Sequence, residues 1–203
     1  MLNIHRQAYQ SDLKDQEWKW LKRLLPKPST KGSRGRPQEW PPREIINAIL
    51  YLLRTGCQWR MLPHDLPPWQ TVYYHKRKWC QSGLWEKVNQ VLREQVRQAA
   101  GREATPSAGI VDAQSVKTTL VKGVRGYDAG KRVNGRKRHI VVDTLGLLLL
   151  VLVTVGSVQD KPGGKQLLTQ LRQRLQLPRL QLLWADGGYG GQPFTDWVKD
   201  TFG

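Results

Sequence analysis

The sequence predicts an α/β chain, more narrowly α+β, in two parts. A helical domain covers residues 1–104, and a domain built on a mixed sheet covers 105–203. Three observations carry that division. Apolar residues recur at helical spacing, with recognisable caps, as far as Ala100. Past residue 108 they give way to short β-branched and Leu-rich runs bounded by Gly and Asp. Two of those runs, Gly109-Ile110-Val111 and Leu180-Gln181-Leu182-Leu183-Trp184-Ala185, lead into single carboxylates, Asp112 and Asp186.

Composition narrows the class. A hydrophobic content of 39% with nine Trp argues for folded cores. The net charge of +17 favours a polyanionic partner, of which nucleic acid is the commonest. Residues 1–104 carry 19 basic and 9 acidic groups and residues 105–203 carry 14 and 7, so both halves suit the same phosphate backbone. Cys57 and Cys80 are too few for a disulfide framework and suit a reducing cytosol. Their spacing with His64 and His75 has neither paired form of a zinc site. The N-terminus lacks a signal-peptide core, and the most apolar run, Leu145 to Val155, is about half the roughly 20 residues of a membrane span. The expectation is a soluble cytoplasmic protein with no membrane partner.

The elements follow in order. Ser11 or Asp15 caps a first helix carrying Leu13, Trp18, Leu21 and Leu25, ended by Pro26 and Pro28. Residues 26–42 form a Pro-rich linker with Lys27, Lys31, Arg34 and Arg36, either a solvated tether or a basic arm along phosphates. Pro42 opens a second helix to Arg54, with Ile45, Ile46, Ile49, Leu50 and Leu53 on its apolar face and Gly56 as its C-terminal cap. After a tight Pro-rich connector, a third helix spans about Thr71–Cys80. A fourth runs from Leu84 to Ala100 with Val88, Leu92 and Val96 buried. The third helix carries Lys76, Arg77 and Lys78 between Tyr73, Tyr74 and Trp79, which fits the second helix of a helix-turn-helix reader of DNA.

In the second half, strand one is Gly109–Ala113. Residues 117–138 hold eight basic residues and one Asp among several glycines. That composition predicts a turn-rich surface excursion in which Lys117, Lys131, Arg132, Arg136, Lys137 and Arg138 grip phosphates. His139–Asp143 and Leu147–Val155 form a hairpin across Thr144-Leu145-Gly146. A helix over 161–177 with Leu167, Leu168, Leu171 and Leu175 precedes a buried parallel strand ending at Asp186, and a last helix starts near Pro193. A right-handed crossover through that helix sets the strand beside strand one. Asp112 and Asp186 then lie side by side at the carboxyl ends, where open sheets bind ligands. Two carboxylates so placed repel unless a divalent cation lies between them. In a basic protein this suggests two Mg²⁺ and metal-assisted phosphoryl transfer on nucleic acid.

The chain resembles bacterial insertion-sequence transposases of the DDE class, most closely the insertion sequence five family. The resemblance covers nearly the whole chain and rests on Leu25-Pro26, RTGCQWRMLP (54–63), PPWQTVYYHKRKW (67–79), IVDAQSVKT (110–118), GYDAGKRVNGRKRHIVVDTLGLLL (126–149) and WADGGYGG (184–191). It implies an N-terminal helical DNA-binding domain and an RNase H-like core. It also implies an acid triad with two Mg²⁺ that nicks insertion-sequence ends and joins the freed 3′-OH to target double-stranded DNA. A homodimer on paired ends and association with the nucleoid are implied as well. Asp112 matches the first acid, Asp186 the second, and Tyr189 an aromatic after it; Arg136–His139 and Asp160 match positions without an assigned catalytic role. The family's third acid, a Glu on a later helix, has no match: no Glu follows Glu103, and Asp196 and Asp200 come too soon. The expectation is a C-terminally incomplete transposase, truncated before the fifth strand and last helix, that binds DNA without strand transfer. The alternative is a non-catalytic DNA-binding protein or transposition repressor with the same helices. A bare metal nuclease leaves the N-terminal half unexplained.

Overall fold

The computed structural model describes residues 6–26, 39–118 and 123–202. The chain divides into two compact units, Met1–Asn89 and Gln90–Gly203. The basic arm expected at Lys27, Lys31, Arg34 and Arg36 lies outside the described residues.

The first unit is helical. Helix α1 (Asp15–Leu21) starts one residue after Lys14, whose backbone N–H donates to Glu17 Oε2 at 2.8 Å. The cap partner is therefore the acid three residues on, not Ser11 or Asp15. Helix α2 (Pro42–Thr55) begins on Pro42, whose fixed φ suits a first helical position, and stops at Gly56, where φ is +66°. Ile45, Ile46, Ala48 and Ile49 are buried, whereas Leu53 in the last turn is 65% exposed, contrary to its expected place on the apolar face. Thirteen residues, with one turn of 3-10 helix at Trp59–Met61, separate α2 from α3 (Trp69–Gln81). That connector is longer than the three- or four-residue turn of a helix-turn-helix. Ile45, Ile46 and Ile49 form one core with Leu66, Val72, Trp79 and the first turns of helix α4 (Leu84–Ala99), through Leu84 and Val88. Each large apolar side chain so buried contributes about 1.5–3 kcal/mol.

The second half of α4 corrects the sequence reading. Leu92 and Val96, expected inside, are exposed, and Arg93 and Arg97 are buried instead. The surface that receives this part of the helix is polar. Arg97 Nη1 meets Asp143 Oδ2 at 2.5 Å, and Arg93 Nη1 donates to the Leu148 carbonyl at 3.1 Å. A guanidinium with such partners is retained where an apolar residue would strand a buried carboxylate.

The second unit contains a five-stranded mixed sheet: β1 (Ala108–Lys117), β2 (Gly126–Asp128), β3 (Val133–Asp143), β4 (Leu148–Val155) and β5 (Leu182–Ala185). Strand β3 pairs antiparallel with β1 on one side and with β2 and β4 on the other, and β5 runs parallel to β1 at the edge. Strands β1 and β3 are both longer than expected, because they stay paired from Gly109↔Asp143 out to Lys117↔Gly135. Gly135 permits this close approach: a Cβ there would come within 2.0 Å of the Val116 carbonyl. Arg136, Lys137 and Arg138 thus lie on a strand and not in a loop, while residues 119–122 of the expected excursion fall outside the described residues. Inner-facing Val111, Ala113, Val141 and Leu149 pack on Leu167, Leu168 and Leu171 of α5 (Asp160–Arg174), with Tyr189 and Phe194. Helix α6 (Gln192–Phe202) follows. Strand β5 is not the buried strand anticipated. It sits at the sheet edge with Leu182 and Trp184 exposed, although its parallel place beside β1 is as expected.

Candidate active site

The parallel pairing of β1 with β5 sets Ala108 against Leu182 and ends with Val111 against Ala185. The next residue on each strand is an acid, Asp112 and Asp186. Neighbouring strands lie about 4.8 Å apart, so the two carboxylates occupy adjacent, exposed positions. Each is held locally. Asp112 Oδ1 accepts the Ala113 N–H at 2.7 Å, and Asp186 Oδ1 accepts the Gly188 N–H at 3.0 Å, capping the 3-10 turn Gly187–Tyr189. Asp112 is not at a strand end, since β1 continues for five residues past it.

A second group of charges lies on the inner side of β3. Lys137, 4% exposed, places its ammonium 2.9 Å from both Asp128 Oδ2 and Asp160 Oδ1. Burial opposes the ammonium charge, but the hydrogen bonds to Asp160 and Asp128 outweigh it and raise the Lys137 pKa. The Ser115 hydroxyl bonds Asp128 Oδ2 and is the largest influence holding that carboxyl below its usual range. Burial works against it, and Lys137 and the Lys131 N–H assist. Lys137 was expected to grip phosphate. Its ammonium is instead committed to two carboxylates inside the unit, because a buried cation needs such partners.

Asp160, the first residue of α5, uses Oδ1 for Lys137 and turns Oδ2 toward Gly188. A Cβ at Gly188 would lie 3.2 Å from Asp160 Oδ2 and 3.1 Å from Asp186 Oδ1. Two further glycines bring α5 close to the site. Gly163 lies against the His139 ring and Gly164 against the Tyr189 ring, where added Cβ atoms would approach to 2.1 and 2.6 Å. Burial lowers the His139 pKa, partly offset by the charge of Asp160, and Nε2 lies 3.1 Å from Thr154 Oγ1. Burial, and then the charges of Asp160, Asp186 and Asp112, push the Tyr189 phenol well above its ordinary value.

The remaining basic residues are placed as follows. Arg77 and Lys78 are exposed on α3 beside the exposed rings of Tyr73 and Tyr74, and the Lys76 ammonium lies 5.8 Å from the centre of the Trp59 ring. Lys117 is exposed near the end of β1. Arg138 is exposed and reaches Gln114 Oε1 at 2.8 Å, and half-buried Arg136 bonds the Val124 carbonyl at 3.2 Å. Lys131 donates to the Ala113 carbonyl at 2.6 Å, next to Asp112, and Arg132 takes a left-handed backbone with φ +52°. Sequence reasoning assigned nothing to Asp128. Its signal was being the single acid among eight cations.

Residues 13–89 match a family model described as "Putative transposase of IS4/5 family", and residues 103–201 match one described as "Transposase DDE domain". The chain belongs to the IS4/5 family of DDE transposases. Its curated relatives include the "Insertion element IS402 uncharacterized 16.2 kDa protein" of Burkholderia cepacia, 28% identical over 107 residues, which are 51% of this chain and 71% of that one. Another is the "Uncharacterized protein y4sN" of Sinorhizobium fredii (strain NBRC 101917 / NGR234), 30% identical over 80 residues, 39% of this chain and 62% of the relative. No solved structure matches the chain. The DDE domain implies an RNase H-like fold, with which the mixed sheet and α5 agree, and the family generally uses divalent metal ions. Among the described residues no helix is long and apolar enough to cross a membrane.

Proposed function

We propose that the chain acts on double-stranded DNA in transposition, through metal-dependent cleavage at insertion-sequence ends and joining of the freed 3′-OH to target DNA. Asp112 and Asp186 are the catalytic acids of this reading and two of the ligands of a pair of Mg²⁺ ions. The observation that supports it best is the register of β1 with β5, which brings acids from distant parts of the sequence to adjacent exposed positions. Their donor set is carboxylate oxygen, which suits a hard divalent cation. Among the described residues no three His, Cys, Asp or Glu side chains could hold a metal together. The coordination shell therefore needs further oxygens, from water, from a DNA phosphate or from another acid. When bound, two such ions activate the attacking oxygen and stabilise the leaving one.

The basic residues distribute the DNA contacts. Arg77 and Lys78, with Lys76, offer a surface on α3 for the inverted-repeat end, and Lys117, Lys131, Arg132, Arg136 and Arg138 follow the backbone past the acids. Pairing of two ends by two copies of the chain completes the reading. These 203 residues are expected to bind end-containing DNA, and strand transfer in Mg²⁺ is expected to need a third acid besides Asp112 and Asp186. Robust transfer by the 203 residues would overturn the need for a third acid. Full activity of Asp112→Asn in a complete relative would overturn the metal role. End binding indifferent to both Mg²⁺ and Asp112→Asn would mark a DNA-binding protein or transposition repressor without chemistry.

A further inference from the structure

Tyr189 is 2% exposed, and its hydroxyl has no hydrogen-bond partner among the described residues. Leaving a buried O–H without an acceptor costs about 1–3 kcal/mol, so a ring placed for packing alone would be better served by Phe. The ring is pinned between Gly164, which has no room for a side chain, and Phe194, whose centroid is 5.7 Å away. The charges nearest in effect to its hydroxyl are those of Asp160, Asp186 and Asp112. Asp160 offers a complementary acceptor at a partly exposed position. Oδ1 is occupied by Lys137, while Oδ2 receives no hydrogen bond from the described residues and faces Gly188 beside Asp186 Oδ1. A buried donor without an acceptor, and a partly exposed carboxylate oxygen free to accept, thus lie beside Asp186.

We infer that Tyr189 and Asp160 are positioning residues of the acid pair: the Tyr189 O–H donates into the carboxylate and water shell of a cation held by Asp112 and Asp186, and Asp160 Oδ2 accepts a hydrogen bond from that shell. The inference rests on reading the pair as metal ligands. A hard divalent cation keeps several of its waters, each a strong donor, and these need acceptors fixed in place. The Lys137 ammonium fixes Asp160 for that role, and Gly164 fixes Tyr189. Groups in this outer position typically change metal affinity by 10–100-fold when removed.

The test is titration of Mn²⁺ into the 203-residue chain, followed by water-proton relaxation, with metal-free thermal unfolding measured in parallel. Tyr189→Phe is expected to keep the metal-free Tm and to weaken Mn²⁺ binding by roughly tenfold, with Asp160→Asn weakened in the same direction. Parent-like affinity in Tyr189→Phe, alongside loss of binding in Asp112→Asn, overturns the inference and leaves the ligand pair standing. No Mn²⁺ binding by the parent, or parent-like affinity in Asp112→Asn, overturns the ligand pair and the inference with it. A lowered metal-free Tm in Tyr189→Phe shows that the hydroxyl already has a structural partner, and overturns the inference alone.

Discussion

On α3, Arg77 and Lys78 project beside the exposed rings of Tyr73 and Tyr74, and among the described residues neither enters an ion pair. In the sheet unit, Lys137, Arg93 and Arg97 are buried, and each is engaged by carboxylates or carbonyls. The same residue types therefore do opposite work. A cation in water remains available to a polyanion, whereas a cation inside must be neutralised by the fold, since an unpaired buried charge is not tolerated. Basic residues adjacent in sequence can fall on either side of this line. Lys137 is caged, while its neighbour Arg138 is at the surface. A net charge of +17 thus overstates what the chain offers to DNA.

Removing a caged cation is expected to have the largest effect. Lys137→Met leaves Asp128 and Asp160 facing each other without a counter-charge and should cost about 3–5 kcal/mol in urea unfolding. Arg97→Leu, which strands buried Asp143, belongs to the same class. Arg138→Ala and Val96→Ala should stay within about 0.5 kcal/mol. Equal losses at Lys137 and Arg138 would erase the distinction between the two kinds of cation.

A smaller effect is expected from pH. Burial lowers the pKa of His139, and it does the same to His75, where Lys78 adds to it. For a histidine with a depressed folded pKa, the unfolded chain takes up the proton first as the pH falls. The stability these residues contribute is therefore complete above about pH 6.5 and declines below it. Urea midpoints at pH 7.5, 6.5 and 5.5 check this. His75→Gln should remove only part of the decline, because His139 on β3 retains the rest. Asp128, held low, starts to lose its contribution as the pH falls into the ordinary carboxylate range and goes on losing it below, which keeps the two effects apart.

Arg77→Ala with Lys78→Ala should leave stability within about 0.5 kcal/mol. Affinity for DNA should fall, and the log–log salt slope should flatten by roughly two, one unit for each phosphate that is no longer neutralised. An unchanged slope would remove α3 from the interface.

Much of the framework was readable because it rests on local signals. Pro42 and Gly56 bound α2, glycine at 146 turns the β3–β4 hairpin, and Leu167, Leu168 and Leu171 mark the inner face of α5. The adjacency of Asp112 and Asp186 was also readable, since a parallel crossover sets the two strands side by side, although Asp112 lies within β1 and not at its end. Other features were not. The first half of β3, up to Arg138, looked like a loop because its inner positions Gly135 and Lys137 are polar or small and their burial depends on partners from elsewhere in the chain. Leu92 and Val96 looked buried because spacing identifies a helix face without identifying what packs there.

The succession of the main helices and strands, the apolar faces of the first turns of α2 and of α5, and the candidate acid pair were determined by residue type and spacing, because period, caps and turn chemistry act over a few residues. Which charges are spent inside the molecule was decided only by the tertiary structure. Lys137 is held by Asp128 and Asp160, Arg97 by Asp143, and the Tyr189 hydroxyl is buried without a partner among the described residues. Desolvation and pairing depend on neighbours brought together from distant segments, and no local pattern records them.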